Sequence, residues 1–285
     1  MNEERKQQYF AELAPNYHTL TGNTTQDIFA QFLDTYSPKL NITSTSTVHD
    51  NAAGPGTATQ VLVQRDNAPK IIATDYAPGM IDTLNSIKSA NTSANPAWEN
   101  VTTKVCNSDD LSEYADGTFT HSISNFSLFT ITNAVKSLSE THRTLKPDGV
   151  AVVLLWKRYA IQSLLAAAQD DVKGAGYAAK NAVPVNGPQY FERDVVPNQV
   201  VEAGFEQSKI ETWQMDLVVD DEAQKEKWDG LYQFMTSTSV AMGSTRGWSE
   251  EEAGRWNEAV RWAMGEEKRE FGGLKFEAWV SVARK

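Results

Sequence analysis

Thr47-Val48-His49-Asp50-Asn51-Ala52-Ala53-Gly54-Pro55-Gly56-Thr57 is the stretch that decides the fold. A short β-branched and apolar run leads into an acid, small residues and two glycines, and a helical pattern follows at Ala58, Val61, Leu62 and Gln64. Strand, tight Gly-rich turn and helix is the unit with which α/β proteins bring backbone N–H groups and a helix N-terminus up to a ligand. Small residues suit the turn because a Cβ would hold the ligand away from the main chain. Further on, Lys70-Ile71-Ile72-Ala73-Thr74-Asp75 reads as a second strand ending in an acid, followed by Tyr76-Ala77-Pro78-Gly79-Met80-Ile81. An acid at that tip is placed to accept both hydroxyls of a ribose bound over the first turn.

Two cofactor classes fit this pair, a dinucleotide and S-adenosylmethionine (SAM). The dinucleotide fingerprint asks for G-x-G-x-x-G. Here the turn reads Asp50-x-Ala52-x-Gly54-x-Gly56, which resembles the D-x-G-x-G-x-G motif of class I SAM-dependent methyltransferases. Ala52 stands at the first glycine position, which a turn tolerates if φ there is negative. Asn107-Ser108-Asp109-Asp110-Leu111, with Asp116-Gly117-Thr118-Phe119 after it, resembles the family's D-x-x-x-L-P-F-x-x-x-S-F-D block. Asn107 takes the place of the acid that accepts from the adenine amino group, and an amide carbonyl can still accept that bond. Thr120 replaces the acid expected after Phe119, and Lys146-Pro147-Asp148-Gly149 resembles the family's L-K-P-G-G turn. The resemblance covers residues 44–158 and is to the small-molecule, secondary-metabolite type with a UbiE-like domain.

That resemblance implies SAM as cofactor and S-adenosylhomocysteine (SAH) as product. It implies cofactor contacts from Tyr17, Asp50, Ala52, Gly54, Gly56, Thr57, Asp75, Tyr76, Met80, Asn107, Ser108, Asp109, Asn125, Phe126 and Ser127. Met80 and Ile81 would lie under the adenine ring, and Asn125 to Ser127 would border the methionine moiety and the substrate. Tyr17 is read either as the tyrosine of an N-terminal lid or as a packing residue at a helix junction.

The 285 residues suffice for one large α/β domain with a sizeable core. A net charge of −11 opposes nucleic acid and anionic membrane surfaces, which need clustered Lys and Arg. A small-molecule substrate, and a monomer or homodimer, is the expectation. Cys106 is the single cysteine, and His18, His49, His121 and His142 lack metal-ligand spacing. Met1-Asn2-Glu3-Glu4-Arg5-Lys6 leads into polar helix rather than a signal peptide, and no run of eighteen apolar residues occurs. The expected compartment is the cytoplasm.

Taken in order, residues 2–13 read as a helix with Tyr9, Phe10 and Leu13 on one side, and Thr24-Thr25-Gln26-Asp27 as the N-cap of a second helix carrying Ile28, Phe29, Phe32 and Leu33. β-Strand patterns follow at 46–51, 70–75, 101–105, 119–125 and 150–155, with His121 read as a buried structural histidine. Helices are expected over 132–145, 160–175 and 191–203. The resulting fold class is α/β, a Rossmann-like doubly wound seven-stranded sheet of order 3-2-1-4-5-7-6. As one domain spanning 1–285, it divides into an N-terminal helical lid (1–40), a SAM-binding core (44–158), substrate-cap helices (159–205 and 220–272) and closing strands (206–218 and 276–283). Trp98 aside, every tryptophan follows residue 150. That skew suits a cap that either packs on the sheet or lines an apolar pocket, and Phe129, Trp156, Tyr159, Trp228 and Tyr232 are the candidate substrate contacts.

Methyl transfer from a sulfonium asks the protein to bury a nucleophile, align it and exclude water. A hydroxyl acceptor would also need a base, for which His18, on the expected lid, is the candidate. Two other classes stay open. One is a SAM-binding protein of this fold without methyl transfer, regulatory or catalysing another reaction such as cyclisation. The other is a nicotinamide-dependent oxidoreductase, opposed by the missing third glycine, the Asn107–Leu111 block and the lack of a Tyr-x-x-x-Lys pair after the fifth strand.

Overall fold

The computed structural model describes residues 7, 8, 10, 12–181 and 188–285. Of the helix expected over 2–13, residues 7, 8, 10, 12 and 13 are helical. Tyr9, with the rest of that stretch, lies outside the described residues, as do residues 182–187 of the expected cap.

The sheet is built from β1 (Thr47–Asn51), β2 (Lys70–Asp75), β3 (Val101–Val105), β4 (Phe119–Asn125), β5 (Leu145–Arg158), β6 (Ile210–Val219) and β7 (Leu274–Arg284). Its order is β3-β2-β1-β4-β5-β7-β6, the order expected from the sequence. β1 to β5 run parallel, and β7 lies antiparallel between β5 and β6. Parallel strands covered by helices on both faces must be apolar on both. Accordingly Val150 to Trp156 is buried without interruption. Asp50 sits opposite Ala73 on one side and Ile123 on the other, so the acid of the first motif lies in the middle of the sheet.

The crossover helices fall where the apolar periodicity put them: Thr57–Val63, Pro78–Asn91, Ala134–Thr144 and Ala160–Lys173. Pro78 opens its helix, where its fixed φ and missing N–H cost nothing. Two boundaries differ from expectation. The helix expected from Phe191 begins at Val195, after a 3-10 turn at Pro188–Phe191. β6 starts at Ile210, because Gln207–Lys209 forms another such turn after Phe205.

The start of the helix Thr24–Leu40 is a further correction. Its N-cap is Asn23 in the left-handed conformation (φ 57°), and no side chain caps it. Gly22 is left-handed too (φ 58°), and two such residues in a row make a sharp corner that Gly and Asn tolerate best. The helix then covers the outer strand β6, with Tyr36 stacked on Trp213 at 4.5 Å between ring centroids.

The insertion before β7 is helical as expected: Lys225–Thr236, Thr238–Ser244, Glu250–Gly254 and Trp256–Phe271. Ser249 and Glu252 form a reciprocal capping box. Trp256 is buried and donates Nε1–H to the Met235 carbonyl at 3.1 Å. Arg158 grips Glu267 through both nitrogens at 2.6 and 2.7 Å, tying the end of β5 to this insertion. No helix among the described residues is long and apolar enough to cross a membrane.

Candidate functional site

A cavity of about 220 Å³ opens at the C-terminal ends of β1, β2 and β4, the position at which ligands meet open α/β sheets. Its floor is the turn after β1, contributed by Ala52, Ala53, Gly54, Pro55 and Thr57. One wall comes from the end of β2 and the next helix (Asp75, Tyr76, Met80), and another from the loop after β3 (Asn107, Ser108, Asp109). The far side comes from the end of β4 and beyond it (Asn125, Phe126, Ser127, Thr130, Ile131, Thr132), and Phe10 and Tyr17 reach in from the N-terminal segment.

The turn is held tightly. Ala53 N–H donates to the Thr74 carbonyl at 2.8 Å and Gly56 N–H to the Ala53 carbonyl at 2.9 Å. Ala52 has φ +54°, not the negative value at which a turn tolerates alanine without strain. The turn requires the left-handed conformation here whatever the side chain, and alanine carries a cost of about 1–2 kcal/mol in adopting it. The two glycines act differently from each other. At Gly54 (φ +57°) an added Cβ would meet only Met80 Sδ at 3.9 Å, leaving the main chain open to a ligand. At Gly56 (φ +85°) it would land 2.4 Å from Leu84 Cδ1. Gly56 does not line the cavity; it lets two helices pack.

Asp75 bridges the two turns. Its Oδ2 accepts from Gly54 N–H at 2.8 Å and its Oδ1 from Ala77 N–H at 2.9 Å. Each carboxylate oxygen keeps a further lone pair for a ligand hydroxyl. Burial raises its pKa, and the two backbone donors pull it back. Asp50 lies beneath the turn, away from the cavity wall. Its Oδ2 accepts from Thr59 N–H at 3.0 Å and Thr59 Oγ1–H at 2.6 Å, while Oδ1 has no partner among the described residues. Burial pushes this carboxyl up to about 6, against the Thr59 donors.

Phe126 is buried with φ +54°, a conformation uncommon for so bulky a residue. Its ring centroid lies 4.1 Å from that of Trp156, and its N–H donates to the Leu154 carbonyl at 3.0 Å. The reversal turns both Asn125 and Ser127 toward the cavity. Asn125 Nδ2–H donates to Thr57 Oγ1 at 3.0 Å and to the Thr25 carbonyl at 3.4 Å. The loop after β3 is fixed from outside by Arg143, which donates to Glu140, Asp116 and the Tyr114 and Leu111 carbonyls. Within that loop Asn107 Oδ1 lies 3.4 Å from Asp109 N–H.

Of the residues named from sequence as cofactor contacts, Asp50 and Gly56 stand behind the wall, and the others line the one cavity. The candidate substrate residues fall elsewhere. Trp156 is buried in a cluster with Tyr159 and Phe276, at 5.0 and 5.6 Å between centroids. Phe129, Tyr159, Trp228 and Tyr232 pack against the main core, and none of these five lines the cavity. His18 does not line it either. Its Nδ1 is 3.0 Å from Asn23 Oδ1 and its Nε2 3.0 Å from Gln60 Nε2.

His121 is a buried structural histidine, Nε2 2.8 Å from the Leu40 carbonyl. Phe10, Ala53, Pro55, Thr130, Ile131 and Thr132 line the cavity without having been singled out in the sequence. For Thr130 to Thr132 the signal was position, since they follow the β4 loop at the ligand edge of the sheet.

Residues 49–153 match the methyltransferase domain family. The methyltransferase ucsB of Acremonium sp is 36% identical over 115 residues, 38% of this chain and 40% of that protein. The ubiquinone/menaquinone biosynthesis C-methyltransferase UbiE of Citrifermentans bemidjiense is 26% identical over 152 residues, 53% of this chain and 63% of that one. This chain therefore spans less than two thirds of the length of either relative. Among solved structures, the [4+2]-cyclase SpnF superposes with a TM-score of 0.51 at 16% identity, over 90% of this chain and 80% of that one. That likeness is one of fold.

Proposed function

We propose that this chain, whose residues 49–153 match the methyltransferase domain family, transfers a methyl group from SAM to an O, N or S atom of a small, largely apolar metabolite. The observation that carries the proposal is Asp75, a carboxylate held on the cavity wall between the Gly-rich turn and the start of the next helix. Its remaining lone pairs suit two vicinal hydroxyls. Gly54 fits the same ligand, because its missing Cβ leaves main chain bare toward the cavity. Met80 and Tyr76 supply apolar surface for an adenine ring, and Asn107 to Asp109 an edge that can accept from its amino group.

When bound, SAM supplies a methyl group already activated by sulfonium charge. The chain then has to orient the acceptor and keep water out. Phe126, Ile131 and Phe10 give an apolar surface, and Ser127, Thr130 and Thr132 give hydroxyls that orient a polar acceptor atom. Proximity and alignment can supply much of the acceleration such a reaction needs. The same reading makes this a cytoplasmic enzyme of secondary metabolism, a monomer or homodimer with SAH as the released product. The candidate cap residues Trp228 and Tyr232 contribute to it through packing.

Calorimetric titration with SAM and SAH, on wild type and Asp75→Ala, tests the cofactor. Micromolar binding to wild type is expected. Removing a charged acceptor of two hydroxyls should cost about 1.5–3 kcal/mol, or roughly 10- to 150-fold in affinity. Incubation with methyl-labelled SAM and a panel of small apolar acceptors then tests transfer. No binding at millimolar ligand would overturn the proposal. Tight binding with products that never carry the label would leave a SAM-binding protein doing other chemistry, such as cyclisation.

A further inference from the structure

His18 is engaged on both sides. Gln60 Nε2 lies 3.2 Å from the Pro55 carbonyl as well as 3.0 Å from His18 Nε2. A carbonyl accepts only, so the Gln60 atom facing Pro55 is the amide nitrogen, with one N–H for Pro55 and the other for His18. His18 Nε2 is then the acceptor, Nδ1 carries the proton, and Nδ1–H donates to Asn23 Oδ1 at 3.0 Å. One tautomer of a neutral imidazole satisfies the whole chain of bonds. Burial, the largest influence on His18, lowers its pKa, which favours that form; the Asn23 bond opposes it.

The bonds join separate parts of the molecule. Pro55 belongs to the Gly-rich turn and Gln60 to the helix after it, whereas His18 follows Tyr17, which lines the cavity. The segment Tyr17–Thr21 is braced from its other side by the insertion. An added Cβ on Gly22 would meet Leu231 Cγ at 3.1 Å, and Lys227 pairs with Asp27.

We infer that His18 is a positioning residue rather than a base. Through Gln60 it fixes the Tyr17 segment against the Gly-rich turn and so completes the cofactor end of the cavity. This rests on the proposal that the cavity takes SAM. Asn23 is explained by it as well: a residue that tolerates the left-handed corner and also accepts from His18.

Protonation of His18 would put an N–H where Gln60 donates, and the Pro55 carbonyl opposes the amide turning over. A histidine whose pKa is lowered in the assembled state loses that state as pH falls through the ordinary histidine value near 6.5. The charged groups on the neighbouring elements are Asp27, Asp34 and Lys39 on the helix Thr24–Leu40, and Lys225, Glu226, Lys227 and Asp229 on the helix Lys225–Thr236. Asp27 pairs with Lys227, Asp34 with Arg65, Lys39 with Glu211 and Lys225 with Asp229. Asp50 and Asp75 are the other buried groups at the site whose pKa values burial raises, and both are present in every variant of His18.

The test compares wild type, His18→Leu, His18→Gln and Gln60→Leu by SAH calorimetry from pH 5.5 to 8, with amide exchange over residues 12–24 in the free proteins. At pH 7.5 His18→Leu and Gln60→Leu should bind SAH about five- to tenfold more weakly and exchange faster over 12–24. His18→Gln keeps an acceptor near the Nε2 position and does not titrate. It should bind within about threefold of wild type at pH 7.5 and lose less affinity than wild type on acidification. Equal SAH affinity and equal exchange across all four proteins would overturn the inference, as would parallel pH profiles for wild type and His18→Gln. If wild type fails to bind SAH, the proposed function fails, and the exchange comparison alone decides whether His18 and Gln60 hold the segment.

Discussion

Asp50 should cost the protein stability at neutral pH, and replacing it with asparagine should return much of that. The carboxyl is fully enclosed between three strands and the helix Thr57–Val63, with two donors on Oδ2 and none on Oδ1 among the described residues. Its pKa rises from the ordinary 3.8 to about 6, chiefly through burial, with Asp75 adding a smaller push in the same direction. A carboxyl raised on folding contributes its full stability below the unfolded value near 3.8 and loses it as pH climbs through about 6. Above that, the native state holds a buried charge at a cost of about 3 kcal/mol. Asp50→Asn keeps an oxygen for both Thr59 donors and never ionises. Urea unfolding of both proteins from pH 5 to pH 8 reads the difference. The amide's own poorer bonding shifts the gap between them by a constant, so the pH dependence of the gap is the quantity that matters. Between pH 8 and pH 5 wild type should recover about 1.4 kcal/mol relative to Asp50→Asn, roughly half the total. Two stability curves that stay parallel over that range would refute the reasoning.

The two glycines of the turn should separate stability from binding. Gly56→Ala, strained in φ and driven onto Leu84, should lose about 3 kcal/mol in thermal or urea unfolding, part of it recovered by Leu84→Ala. Gly54→Ala should lose only about 1 kcal/mol, yet weaken SAH binding more than Gly56→Ala weakens it in the protein that remains folded. Arg143→Met removes the donors that hold the loop after β3. It should raise amide exchange over residues 107–116 at least about tenfold and lower stability by about 2 kcal/mol.

Much of the frame was legible because each element states its own requirements. A continuous apolar run such as Val150–Leu155 can be satisfied only between two covered faces, and an acid closing an apolar strand, as Asp75 does, has few sites other than the ligand edge of a sheet. What the chain hid were contacts between distant residues. Nothing near Gly56 says that Leu84 will lie against it, so both glycines read as ligand glycines, although only Gly54 lines the cavity. Alanine at position 52 suits a turn of negative φ, but the bonds from Ala53 to Thr74 and from Gly56 to Ala53 hold it left-handed and outweigh that preference. Phe126 is the same conflict with a larger side chain: a strand end forced left-handed, its ring held by Trp156. The late tryptophans were open between packing and a pocket, and the packing outcome follows from size. Trp156 and Trp256 cover large apolar faces that the sheet and its insertion must bury, whereas no tryptophan is among the residues that wall the cavity, which stand on strand ends, helix starts and the loops between them. The loops among them are held in shape in part by side-chain bonds from Asp75, Arg143 and Gln60. The cofactor end of the site is therefore written locally in the sequence, and the residues that hold its shape are not.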